Sequence, residues 1–158
     1  MVDNQKILYK FIQTNKNIDW YNIHQYTLSE NFIKRFQNKV NWFDISINQK
    51  LSESFIREFK DKVNWGLISM HQTLSEDFIR EFQDKVNWDH ISTYQKLSEN
   101  FIREFKDKVN WNWISENQIL SEKFIRKFQN NVNWWRILNY QNLSNNFKEE
   151  FKYKLYIY

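Results

Sequence analysis

A chain of 158 residues with one glycine, no proline and no cysteine lacks the residues that build the tight turns of an all-β fold. It also has no disulfide framework, no thiolate nucleophile and no cysteine-ligated zinc. Its 23 lysines and arginines against 19 aspartates and glutamates leave a net charge of +4, a mixed surface that weakens a nucleic-acid reading. No stretch approaches the roughly 18 apolar residues of a membrane span and the first residues carry no signal-peptide pattern, so a soluble, unexported protein with no membrane partner is expected.

In chain order, residues 1–17 hold Ile7, Leu8, Phe11 and Ile12 without the serine-capped start seen later, and are expected to form an N-terminal cap helix. From residue 18 a repeat takes over. Tryptophan recurs at Trp42, Trp65, Trp88, Trp111 and Trp134, every 23 residues, with Trp20 one residue short of the series. Such a period is the signature of a stacked array.

The fourth repeat, which starts Val86-Asn87-Trp88, shows the logic. Asn87 and Ser98 are each good helix N-caps. The residue before each cap, Val86 or Leu97, stands five positions ahead of Ile91 or Ile102, as in a hydrophobic staple. Helix A is therefore expected over 88–95 and helix B over 99–108. Helix A carries Trp88, Ile91, Ser92 and Gln95 on one stripe, the serine allowing close helix approach. Helix B carries Leu97, Phe101, Ile102, Phe105 and Val109, one stripe of a 3.6-residue period. A single such hairpin buries too little to offset its ordering cost, so neighbours must stack. In the first repeat Asp19 replaces the asparagine cap and a residue is missing before Leu28, so its helix A is expected to be distorted. The last keeps Leu143-Ser144 with Phe147 and Phe151 and is expected to form a C-terminal cap helix over 143–158. The expected fold is all-α: an α-solenoid wound as a right-handed superhelix of about six two-helix repeats, with repeats over 18–142 in one domain spanning 1–158.

The helix B surface carries a row of cations, Arg57, Arg80, Arg103 and Arg126, with Lys34 at the matching place in the first repeat. Pairs four residues apart, Glu99 with Arg103, Arg103 with Asp107 and Glu104 with Lys108, are expected to neutralise it. The fifth repeat is the exception. There Lys123, Arg126 and Lys127 cluster and Asn130 replaces the usual aspartate, which makes the three cations the candidate anion-binding residues.

The repeating tryptophans share a stripe with the helix A isoleucines and are expected in the core, whereas Trp113 and Trp135 fall off it. A glutamine recurs at Gln49, Gln72, Gln95, Gln118 and Gln141. A buried amide needs partners, and it bonds either to backbone at the end of helix A or in the next repeat, or else forms a ligand-contacting ladder. The positions that change between repeats while this frame stays fixed are the ones a modular binding surface would use. From them come the candidate partner contacts His90, Trp113, Arg136, Trp135, Met70, Tyr94 and Tyr140. No Ser-His-Asp order, zinc motif or glycine-rich phosphate loop is present, so neither an enzyme nor a cofactor or metal is expected.

The run from Trp88 to Lys108, with its Ile-Ser, Gln-x-Leu-Ser-Glu and Phe-Ile-Arg-Glu-Phe pieces, resembles the short tandem helical repeats of proteins from giant DNA viruses of amoebae, the mimivirus relatives. The resemblance covers 18–151 and implies a protein of the host cytoplasm or viral factory, without bringing an activity or site residues. The architecture also resembles solenoids of very short repeats such as the leucine-rich variant type, in which one helix is 3₁₀. The leading expectation is a scaffold for a host or viral protein partner. The rival is a nucleic-acid or phosphate binder that uses the fifth-repeat cations and exposed aromatics.

Overall fold

The computed structural model describes residues 19–156. The expected cap helix over 1–17 lies outside the described residues, as do Ile18 and the terminal Ile157-Tyr158. Among the described residues there are helices and turns and no strand. A 3₁₀ turn, Ile23–Gln25, is followed by α1 (Glu30–Arg35), α2 (Trp42–Asn48), α3 (Glu53–Glu58), α4 (Trp65–His71), α5 (Glu76–Glu81) and α6 (Trp88–Tyr94). Then come α7 (Glu99–Glu104), α8 (Trp111–Asn117), α9 (Glu122–Lys127), α10 (Trp134–Tyr140), α11 (Asn145–Phe151) and a second 3₁₀ segment, Lys152–Tyr156. Helices of type A and type B alternate with the period of the sequence. They group into two compact units, Met1–Gln72 and Thr73–Tyr158. Inside each unit the A helices of successive repeats pack on one another, α2 on α4 in the first and α6 on α8 on α10 in the second. This is the stacking of an α-solenoid.

The caps sit where the sequence puts them. Asn64 Oδ1 accepts from Leu67 N–H at 3.1 Å and Asn87 Oδ1 from His90 N–H at 3.0 Å. Ser98 Oγ accepts from Phe101 N–H at 3.2 Å, as the other cap serines do. Each satisfies one donor that a helix start leaves without an intrahelical partner. The expected distortion in the first repeat is seen: its helix A is reduced to the 3₁₀ turn, with Asp19 bonding Tyr21 and Asn22 N–H in place of an asparagine cap. Later A helices are fully α.

Helix B is shorter than its periodicity suggests. It ends at Glu104, because Phe105 leaves helical geometry at φ −106° and ψ 30°. Lys108 and Val109 N–H then both donate to Phe105 O, at 2.9 and 3.0 Å. That turn carries Val109 into the core and delivers Asn110 as the next cap. The apolar stripe continues across it, which is why spacing alone could not reveal the end of the helix.

The core is the aliphatic and phenyl set of the stripe: Ile91, Ile102, Phe101 and their equivalents are wholly buried. Two polar devices bolt one repeat to the next. Ser92 Oγ donates to Trp88 O at 2.7 Å and accepts from Asn110 N–H, the following cap, at 2.9 Å. Ser46 and Ser115 do the same for Asn64 and Asn133. The helix A serine is thus an inter-repeat linker as well as a small residue. The second device is the glutamine. Gln118 Oε1 accepts from Leu97 N–H at 3.0 Å, while its Nε2 donates to Ser92 O at 3.0 Å and Gln95 O at 2.8 Å. Gln49, Gln72 and Gln141 repeat the pattern, each on the backbone of the repeat before it rather than the one after. Among the described residues no buried side-chain nitrogen or oxygen lacks a partner.

Truncation of one such amide strands three backbone groups. Gln118→Ala is expected to cost about 3 kcal/mol or more, against no more than about 0.5 kcal/mol for the exposed Lys96→Ala. Urea denaturation of the full chain measures both, and equal midpoints for the two variants would contradict the assignment.

Candidate functional site

The frame residues account for most of the repeat, so a functional surface must come from what they leave. The repeating tryptophans, expected in the core, are half-buried, and Trp134 alone of the described set is fully enclosed, at 2% exposure. The reason is their setting. Trp88 Nε1 donates to Gln83 O at 3.0 Å, and its ring stacks on Phe101 of the following helix B and meets Phe105, just past its end, at a tilt. On it rests the Lys108 ammonium, 5.8 Å from the ring centroid. Lys62 on Trp42 and Lys154 on Trp134 repeat this cation–π cover. The indole is therefore covered on its outer side by a lysine that is itself bonded to Gln83 and Asp84, and is no free stacking platform.

The candidate partner contacts separate into three groups on the C-terminal unit. On α6, His90 is half-buried and meets Tyr94 edge-on at 6.0 Å, with Tyr94 51% exposed. Between α8 and α10, the Arg136 guanidinium lies 4.6 Å over the half-buried Trp113 ring and pairs with Glu116. Trp113 and Arg136 are thus engaged with each other. On α10, Trp135 and Tyr140 are 57% and 53% exposed and touch edge to face at 5.8 Å. Met70 is half-buried on α4, in the N-terminal unit. Some variable positions are structural: Asp89 and Asn112 accept from the side-chain amides of the next caps, Asn110 and Asn133, at 2.7 and 2.8 Å.

One residue of this surface escaped the sequence reading. Ile119 is 96% exposed in the connection between α8 and Leu120. The other repeats have Lys50, Thr73, Lys96 and Asn142 there. That departure from a polar position was its available signal.

On the B helices, the expected pairs of Glu99 with Arg103, Arg103 with Asp107 and Glu104 with Lys108 are not formed. Helix α7 ends at Glu104, so Asp107 and Lys108 lie beyond it and lose the register of four. Other B helices do hold such neighbours, Glu53 with Arg57 at 3.8 Å and Glu76 with Arg80 at 3.7 Å, and charges also pair between repeats. Lys34 meets Glu58 at 2.5 Å, Arg80 Nε meets Glu104 at 2.9 Å, Arg126 meets Glu150, and Lys108 meets Asp84 at 3.2 Å. Beneath them Glu76, Glu99 and Glu122 accept from the N–H of the next cap serine at 2.6 to 2.7 Å. The candidate anion-binding residues consequently part company. Arg126 is engaged by Glu150 and lies over Phe147, and its guanidinium is held still more firmly charged by that glutamate. Lys123 and Lys127 are exposed and in no ion pair.

Among the described residues no three histidine, aspartate or glutamate side chains form a metal-holding group, and no helix is long and apolar enough to cross a membrane. No known family model, curated protein or solved structure matches the chain.

The Glu122 clamp makes a pH-dependent contribution. The Ser144 N–H bond, then the Ser144 hydroxyl and the Arg126 charge, hold this carboxyl below its ordinary value. A lowered folded-state value means that the stabilisation is whole above the ordinary glutamate range and disappears as pH falls through the lowered value. Glu122→Gln should therefore lower the urea midpoint at neutral pH and lose that difference once the pH falls below the lowered carboxyl value. A difference of the same size at both would show that the ionised carboxylate is not what holds Ser144.

Proposed function

We propose that this chain is a non-enzymatic repeat scaffold that holds a protein partner on the A-helix surface of its C-terminal unit. The observation that carries the reading is the exposure of Trp135 and Tyr140, 57% and 53%, side by side on α10. Rigid aromatic side chains with little rotamer entropy to lose are the usual anchors of protein interfaces. Here they stand on a helix whose own cap and glutamine are engaged in the frame, as Asn133 Oδ1 on Arg136 N–H and Gln141 on the repeat before. Tyr94 and Ile119 extend the apolar character of the same unit. The resemblance of the repeat to giant-virus proteins supports placing that partner, host or viral, in the cytoplasm or viral factory of an infected amoeba.

The test uses Trp135→Ser with Tyr140→Ser in the full chain, after urea denaturation has shown its stability close to that of the wild type. Wild type should retain a specific protein from amoebal lysate at both about 50 and 200 mM salt, and the double variant should hold it about tenfold less tightly or worse. Equal retention by the two chains would remove the aromatic pair from the interface. Retention of nucleic acid alone, lost steeply across that salt range, would favour the rival class.

A further inference from the structure

In the C-terminal unit the charge ladder along the B helices skips a rung. Five residues after Ser29, Ser75 and Ser121 stands a cation that reaches the glutamate 24 positions on: Lys34 to Glu58, Arg80 to Glu104 and Arg126 to Glu150. From Arg103 the same register falls on Lys127. Arg103 nevertheless keeps the posture of Arg80. Its guanidinium lies 5.9 Å over Phe124, where that of Arg80 lies 5.1 Å over Phe101. Its Nη1 donates to Asn100 at 2.7 Å, where that of Arg80 donates to Asp77 at 2.8 Å. What differs is Nη2, which in Arg80 lies 3.7 Å from Glu76, and Nε, which in Arg80 donates to both oxygens of Glu104 at 2.9 and 3.2 Å. Arg103 has no carboxylate to receive it. Glu99, one turn back, is engaged by Ser121 N–H at 2.6 Å, and among the described residues neither Arg103 nor Lys127 forms an ion pair.

We infer that this gap is a binding site for one phosphate monoester, carried on a phosphorylated peptide segment. Arg103 is already oriented by Phe124 and Asn100, so its remaining N–H groups present the planar fork that suits phosphate oxygens. Lys127 adds a point charge on the far side of the gap, and Lys123 stands on the same helix, α9, four residues earlier. A carboxylate would bring one negative charge to a rung where the repeat register sets two cations. A phosphate monoester brings about −1.5 to −2 at neutral pH and matches them. A nucleic-acid backbone fits poorly, because the rungs on either side end in Glu104 and Glu150 and a continuous polyanion would meet carboxylates in both directions. The side chains of this site are exposed, which gives a small free ion little to hold and favours a phosphate anchored by its peptide. The site belongs to the B helices and does not depend on the aromatic surface of the A helices.

Lys127→Glu restores the missing rung and so is expected to fold at least as well as the wild type. Lys60→Glu makes the same charge change at an exposed lysine elsewhere. Fluorescence anisotropy on the full chains would use a labelled peptide with one phosphoserine among glycines and serines, its unphosphorylated twin, and a labelled single-stranded oligonucleotide. Unlabelled inorganic phosphate would serve as competitor. The phosphopeptide should bind wild type and Lys60→Glu alike and Lys127→Glu at least about tenfold more weakly, with no measurable binding of the twin. The assignment is overturned if the two variants weaken binding equally, if the twin binds as well, or if the oligonucleotide binds more tightly than the phosphopeptide. Inorganic phosphate matching the affinity of the phosphopeptide would overturn the peptide as the ligand.

Discussion

A glutamine amide has one acceptor and two donor hydrogens, and in this protein it closes the backbone of the repeat that precedes it. The two carbonyls it takes, such as Ser92 O and Gln95 O for Gln118, are among those that a helix end leaves without partners. The N–H it takes, Leu97, lies in the connection between helices. Helices of six or seven residues have proportionally more such ends than ordinary ones, and a common way to close them is a glycine in the left-handed region. Here a side chain from the next repeat does it, and no described residue has a positive φ. That explains how a chain with one glycine and no proline makes so many sharp reversals.

The same bond sets the direction of dependence. Each repeat supplies the amide, the cap asparagine and the cap serine that complete the one before, while Ser92, Glu99 and their equivalents receive them. At the C-terminal end the receiving residues change: Leu138 stands where the helix A serine would be and Asn145 where the helix B glutamate would be. Instead the Lys152–Tyr156 segment follows α11 and places Lys154 over Trp134. That cover has the same 20-residue spacing as Lys108 over Trp88 and Lys62 over Trp42. Among the side chains that the frame leaves exposed are the α10 aromatics and the cations Arg103 and Lys127, on which the two proposals rest.

Much of this was legible from residue identity, because caps are local. Asn87 and Ser98 announce helix starts through their own side chains, and the 23-residue period fixes which helix follows which. Other features depend on partners far along the chain. The end of helix B at Glu104 is set by the tertiary placement of Val109, which a continuous apolar stripe conceals. Pairing of Arg80 with Glu104, in addition to its helix neighbours Asp77 and Glu76, follows from lateral stacking, and so does the half-burial of Trp88 under Lys108. The glutamines were recognisable as needing partners, but the repeat that supplies them was not. Of the candidate surface, Trp135 and Tyr140 proved exposed, Trp113 and Arg136 engaged one another, and Ile119 was visible in the sequence only as an apolar residue at a polar position.

The central claim is that the glutamine of one repeat holds the connecting backbone of the previous one. Amide hydrogen exchange, residue by residue, tests it most directly, because the Leu97 and Leu120 N–H groups lie outside any helix and bond to Gln118 and Gln141. Leu143 occupies the same place in the last repeat, where no glutamine follows. The account predicts that Leu97 and Leu120 exchange as slowly as the amides of the helix interiors while Leu143 exchanges fast. Equal, rapid exchange at all three would contradict it.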